Sequence, residues 1–233
     1  MNLNSKNYMK TILRHFFIAI ILFASTISKG QNQLAKIDTK AKKILDELSL
    51  KTKQYKTIVS EFIILAENKV AKTKDVQKGK IWIKGAKYKL DIANQIIIND
   101  SKTIYTVLKD AGEVQINNAD EKKSDNQISP ANIFTIYEKG FKYEFIKEEK
   151  LKDGSTNIQV KLFPNEPKKK NFHTLVLNIN KEKNQVTSFV IFGKDGTQTT
   201  YSIKNFTPNT NLTDDVFAFN AKAYPKYEVI DLR

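Results

Sequence analysis

Gly79-Lys80-Ile81-Trp82-Ile83-Lys84-Gly85-Ala86-Lys87-Tyr88-Lys89-Leu90-Asp91-Ile92 is the stretch that decides the fold. Ile81 and Ile83 alternate with Lys80, Trp82 and Lys84. Tyr88, Leu90 and Ile92 alternate with Lys87, Lys89 and Asp91. A period of two marks strands with one face in a core and the other in water. Gly85-Ala86 leaves room only for a tight turn, so the stretch predicts an antiparallel hairpin.

The same period runs outward on both sides. Upstream, Ile58, Ser60, Phe62 and Ile64 alternate with Val59, Glu61, Ile63 and Leu65. Both rows are apolar, which predicts a strand covered on both faces. Downstream, Ile96–Ile98, Thr103–Leu108 and Val114–Asn117 follow at hairpin spacing across Asn99–Lys102 and Asp110-Ala111-Gly112. Six strands in a row predict an antiparallel meander. Residues 118–128 are polar and aperiodic, and read as a loop. Ser129-Pro130 then offers a cap and a first-turn proline, and Gly140 a stop, for a short helix carrying Ile133, Phe134, Ile136 and Tyr137. Strands resume with Phe141, Tyr143 and Phe145, then Ile158, Val160 and Leu162, then Leu175, Leu177 and Ile179. Val186–Phe192, Thr199–Phe206, Leu212–Phe219 and Tyr227–Leu232 complete the chain. Before all of them, Leu34, Ile37, Ala41, Ile44, Leu45 and Leu48 fall at steps of three and four, the signature of an amphipathic helix. The expectation is one α+β domain of about ten or eleven antiparallel strands.

Residues 1–30 read as an address. Lys6, Lys10 and Arg14 precede an apolar run, FFIAIILFA at 16–24, that is too short to span a bilayer. Small residues at Ser28 and Gly30 suit cleavage before Gln31, so 1–30 is expected to be a secretory signal peptide and 31–233 the exported domain. Cleavage removes four basic residues and no acid, so the +14 of the 233-residue chain falls to +10. With no Cys there is no disulfide and no cysteine for lipid attachment. The basic excess is nearly all Lys, without the bidentate Arg that geometric phosphate recognition favours, so no nucleic-acid partner is expected.

Catalytic constellations are not evident. After the leader the only His is His173, too few for a triad or an imidazole metal site. Asp214-Asp215 point to opposite faces if extended, and suit the head of a turn better than a carboxylate pair. No nucleophile elbow, phosphate loop or dinucleotide fingerprint appears. No cofactor and no enzymatic activity are expected. The positive feature is a large sheet with few helices to cover it. Its apolar face is either filled by side chains or left open as a cavity.

Several stretches in fixed order carry a resemblance. After the N-terminal amphipathic helix come Tyr55–Phe62, Gly79–Lys84 with Tyr88-Lys89-Leu90, Asn99–Tyr105, the Ser129-Pro130 segment and Phe217-Ala218-Phe219. In this order they resemble the periplasmic outer-membrane lipoprotein carrier proteins, the LolA family, over about residues 34–232. The resemblance implies an unclosed antiparallel β-barrel of about eleven strands, with an amphipathic N-terminal helix and a short lid helix over an apolar cavity. It implies a monomeric periplasmic carrier. Acylated lipoproteins would be received from an inner-membrane lipoprotein-releasing ABC transporter and passed to an outer-membrane acceptor. The enterobacterial members carry a lid-latching Arg after the Trp strand; here Lys84 is followed by Gly85-Ala86, with no Arg in the segment.

On this reading the candidate lipid-binding residues are Ile81, Ile83, Tyr88, Leu90, Ile92, Tyr105, Phe145 and Leu162 on strands, with Ile133, Phe134 and Tyr137 on the lid. Each also suits an ordinary core. Two other readings stay open. One is a lipid- or glycolipid-binding or envelope-sensing module on the same fold. The other is an exported hydrolase, which would need converging carboxylates among Asp91, Asp100, Asp214 and Asp215.

Overall fold

Residues 38–119 and 134–233 are described in a computed structural model of the chain. The expected signal peptide, the helical positions Leu34 and Ile37, and the Ser129-Pro130 segment with Ile133 lie outside the described residues. Among the described residues the one α-helix, α1 (Thr39–Lys53), starts where the Asp38 carboxylate accepts a hydrogen bond from the Ala41 backbone N–H at 2.9 Å. That side chain satisfies a donor with no partner inside the helix. Lys51 and Lys53 in the last turn complement the helix dipole.

The strands are β1 (Thr57–Asn68), β2 (Thr73–Lys84), β3 (Lys87–Ile92), β4 (Gln95–Asn99), β5 (Thr103–Leu108), β6 (Glu113–Asn118), β7 (Phe141–Lys150), β8 (Thr156–Pro164), β9 (Phe172–Asn180), β10 (Gln185–Gly193), β11 (Thr197–Pro208) and β12 (Glu228–Asp231). They form one sheet in the order β12-β6-β5-β4-β3-β2-β1-β11-β10-β9-β8-β7. The predicted meander is β1 to β6, and β7 to β11 form a second. The two join where β1 pairs with β11 over nearly its whole length. The edges, β7 and β12, do not meet, so the barrel stays unclosed.

Three strand expectations change. β2 begins at Thr73, because the exposed run Thr73–Lys78 is held by ladder bonds to β1 rather than by burial. Leu212–Phe219 is not a strand: Asp214–Phe217 forms a 3-10 turn that buries Phe217. The last strand, β12, is parallel to β6 instead of antiparallel, because the chain crosses the sheet before it returns.

Ladder partners share a face. Following the registers, Ile58, Ser60, Phe62 and Ile64 of β1 sit with Ile81, Ile83, Tyr88, Leu90 and Ile97 on one side. Tyr201, Phe189, Leu177, Val160 and Phe145 continue that side to the other edge. This inner face holds two buried clusters. In the first, α1 inserts Ala41, Leu45 and Leu48 against β8, β9 and β10. The second gathers Ile58, Phe62, Ile81, Ile83, Tyr88, Leu90 and Phe134. The outer row of β1 was expected to be covered as well. Instead Val59, Ile63 and Leu65 are half-buried, because their neighbours on that face are side chains of the same sheet. The C-terminal segment covers the outer face only near β3 to β6, where Ile98, Val107 and Val114 are buried. Among the described residues no helix is long and apolar enough to cross a membrane.

Gly79 has a specific reason. It lies directly opposite Phe62 in the ladder, and a Cβ there would collide with the Phe62 ring. The ring folds over the bare backbone of β2 and so stays inside the second cluster. Gly79→Ala is expected to cost about 1–3 kcal/mol through overpacking, seen in a urea titration, with partial recovery when Phe62→Leu is added. The second expectation concerns Asp38, whose carboxylate also accepts from the Phe145 backbone N–H at 2.7 Å. These backbone donors hold its pKa below the usual carboxylate value. A depressed folded-state pKa contributes stability above the unfolded pKa, and loses it as pH falls through the folded one. Asp38→Ala should therefore destabilise by about 1–2 kcal/mol at neutral pH, with the gap to wild type closing in acid.

Candidate functional site

The inner face between α1 and β4 is where the candidate residues converge. Ile81 stands opposite Leu90 and Ile83 opposite Tyr88, and all four are buried. Ile92 packs half-buried beside them with Ile64, Ile97 and Phe206. Alternation makes this a wall of aliphatic side chains, with Tyr88 the one polar end among them. Burial pushes the Tyr88 hydroxyl pKa up, and a hydrogen bond to the Asn99 side chain opposes the shift.

Strand order requires the connection from β6 to β7 to pass from one end of the sheet to the other. Its described end, 134–140, lies on the inner face. The expected lid helix is there a 3-10 turn, Ile136–Glu138. Phe134 is buried in the second cluster and Tyr137 in the first, so four residues bridge the two. The Phe134 ring meets Phe206 edge-on at 5.4 Å, and Phe206 meets Tyr55 edge-on at 5.6 Å. Edge-to-face rings of this kind gain roughly 1 kcal/mol beyond their burial. Phe206 and Tyr55 were not among the candidates. Tyr55 precedes β1, and Phe206 sits in β11 where its register against β1 shifts, so alternation gives neither a face.

The turn is fastened to α1. Ser49 donates to the Glu138 carboxylate at 2.5 Å, and Lys53 pairs with it at 3.2 Å. The Tyr137 hydroxyl lies 3.4 Å from Thr52 Oγ1, and burial pushes its pKa up to about 12. Lys84 takes no part in this. It lies on the outer face, bonding the Leu212 carbonyl and Asp214, each at 2.9 Å, and with Lys87 it pins the C-terminal segment there. Those two ammonium groups hold the Asp214 pKa down at about 2.

The remaining candidates fall elsewhere. Leu162 is fully buried under α1, and Phe145 lies beside it with the Lys40 ammonium 3.5 Å from its ring centroid. Both belong to the helix-covered half. Tyr105 lies opposite Ile98, and through it Lys89 and Trp82, on the outer face. It stacks on Phe219 at 4.6 Å and forms no part of the inner wall. Ile133 is outside the described residues.

The described residues do not show the expected cavity. A cleft lined by Thr52, Tyr55, Phe134, Asn184, Gln185, Val186 and Phe206 has room for about 10 Å³, roughly one water. Phe134 and Phe206 occupy the space above Ile81 and Leu90. The carboxylates do not converge: Asp91 pairs with Lys109, Asp100 accepts from the Lys102 and Thr103 backbones, and Asp214 holds two lysines. Among the described residues no group of three or more His, Asp or Glu is placed to hold a metal.

The family model for "Outer membrane lipoprotein carrier protein LolA" matches residues 53–220, and the chain belongs to that family. No curated protein matches it. Among solved structures, a LolA superfamily protein of Nitrosomonas europaea is 11% identical, with 77% of this chain and 97% of that chain covered and a TM-score of 0.40. The Mycobacterium tuberculosis lipoprotein LppX is 10% identical, at 74% and 99% coverage and a TM-score of 0.41. In the MucA/MucB complex of Pseudomonas aeruginosa the values are 10%, 78%, 62% and 0.39.

Because Glu138 ties the crossing turn to α1, Glu138→Ala should speed amide hydrogen exchange across 134–140 at least several-fold, with little change in β9 and β10. Equal protection in the variant would show that Phe134 and Tyr137 alone hold the turn.

Proposed function

We propose that the protein is an exported carrier that shelters the acyl chains of lipoproteins against the inner face of its sheet. The observation that supports this most directly is the wall of Ile81, Ile83, Tyr88, Leu90 and Ile92 packed under Phe134 and Phe206, in a chain of the LolA family. Each buried CH₂ contributes roughly 0.8 kcal/mol, so exposing one sixteen-carbon chain to water costs on the order of 12 kcal/mol. Passage through an aqueous compartment needs an apolar shelter. Release needs that shelter to hold its cargo without directed polar bonds, which a wall of aliphatics provides.

The small cleft sets the terms of loading. A lipid site takes several hundred Å³. An acyl chain entering above Ile81 and Leu90 must displace Phe134 from Phe206, while Tyr137 and Glu138 stay fastened to α1. In this reading the aromatic ring occupies the acyl position in the empty carrier. The donor is an inner-membrane lipoprotein-releasing transporter and the recipient an outer-membrane acceptor. The chain travels between them in the periplasm after residues 1–30 are removed.

The test is recovery of cargo. Crosslinking in cells with a photoreactive group at Ile83 should capture acylated proteins, and depletion should leave lipoproteins at the inner membrane. Capture of free glycolipid alone would replace this reading with the lipid-binding or envelope-sensing one. Phe134→Ala should raise the affinity for a fluorescent fatty acid several-fold, measured by titration, because the chain no longer competes with the ring. Leu90→Asp should abolish it.

A further inference from the structure

The tip between β1 and β2 is unusual for a loop. Val70 is 90% exposed there, flanked by Lys69 and Lys72, with Lys74 two residues on. The tip is held in shape: Asn68 accepts from the Val70 and Ala71 backbones, and its amide donates to the Asp195 carbonyl and Thr197. An isolated exposed valine is ordinary. Here it begins a line. The outer-face positions of β2 are Lys74, Val76, Lys78, Lys80, Trp82 and Lys84, and Val76 is 53% exposed. β3 pairs only with Gly79–Lys84, so Thr73–Lys78 also has an open edge.

On α1 and around β7 some lysines are matched by acids, as in Lys42–Asp46, Lys43–Glu47, Lys147–Glu149 and Lys181–Glu148. Along β2, Glu67 meets Lys74, Glu61 meets Lys80 and Asp214 meets Lys84. Lys69, Lys72 and Lys78 have no ion pair among the described residues. The indole of Trp82 lies between the Lys80 and Lys89 ammonium groups, at 5.4 and 5.6 Å.

We infer that the β1–β2 tip and the outer face of β2 dock on an anionic phospholipid bilayer, with Val70, Val76 and Trp82 entering the headgroup layer. Three features point to a bilayer rather than an acidic protein or nucleic acid. The apolar members are spread along a line rather than gathered into one patch. The cations are lysines, point charges suited to diffuse lipid phosphates rather than to bidentate recognition. Trp82, the chain's one tryptophan, has the amphipathic ring that favours membrane interfaces. Each lysine near an anionic surface is worth roughly fivefold in partitioning. The line lies on the face opposite the acyl-chain wall, so docking leaves the inner face free.

The test uses the purified full chain and sedimentation with vesicles of phosphatidylcholine alone or with about one-third phosphatidylglycerol. The apolar run at 16–24 is common to every variant, so differences between variants report on β2. Lys69→Gln/Lys72→Gln/Lys78→Gln should weaken partitioning to the anionic vesicles by roughly one hundredfold, and leave binding to phosphatidylcholine unchanged. Val70→Asp alone should weaken it further than its charge explains, by comparison with Ala71→Asp beside it. Both variants should bind the fluorescent fatty acid as wild type does, which separates failure of this inference from failure of the carrier reading. Unchanged anionic partitioning in the triple variant would overturn the inference. So would a salt-sensitive loss with no dependence on Val70, which would identify an acidic macromolecule instead.

Discussion

The pairing of β1 with β11 is the constraint on which the rest depends. It joins two meanders that are each built from neighbouring hairpins, and it does so across some 140 residues of chain. Without it there are two half-sheets, each with an apolar face too wide for its cover. With it, Ile203 and Tyr201 lie beside Phe62 and Ile64, and the inner face becomes continuous from β3 to β7. Such long-range pairing carries a large loop-closure cost before it is rewarded. Phe62 over Gly79 and Ser60 bonded to the Lys204 carbonyl are among the contacts that reward it.

Among the described residues a single α-helix faces twelve strands and cannot cover them. α1 covers β7 to β10, the C-terminal segment covers the outer side of β3 to β6, and the end of the β6–β7 connection reaches the middle of the inner face. Each cover is fastened by polar bonds at its margin: Glu138 to Ser49 and Lys53, Asp214 to Lys84 and Lys87, Asp38 to the edge strand. The Asp214 pairs are exposed and contribute little each, typically below about 1 kcal/mol.

The hairpins were legible because their signals are local. Gly85-Ala86 and Asp195-Gly196 stand between alternating rows, and the structure turns at both. The wall of Ile81, Ile83, Tyr88, Leu90 and Ile92 was legible for the same reason, since two strands joined by a tight turn must share a face. Tyr105 was not. Its strand alternates cleanly, but which row faces inward depends on the β4–β5 register, and β4 is apolar on both rows at Ile96, Ile97 and Ile98. The apolar face of the Ser129–Gly140 segment was visible, yet nothing local says that Phe134 would meet Phe206.

By itself, then, the sequence determined the strands, their hairpin order, the amphipathic helix and the family of the chain, because period and turn chemistry act over a few residues. The tertiary structure alone decided that β12 runs parallel to β6, that Tyr105 turns outward, that Lys84 holds the C-terminal segment, and that Phe134 meets Phe206 on the inner face. Those outcomes depend on which distant rows meet, and that choice is made by the summed burial of a whole face rather than by any residue's neighbours.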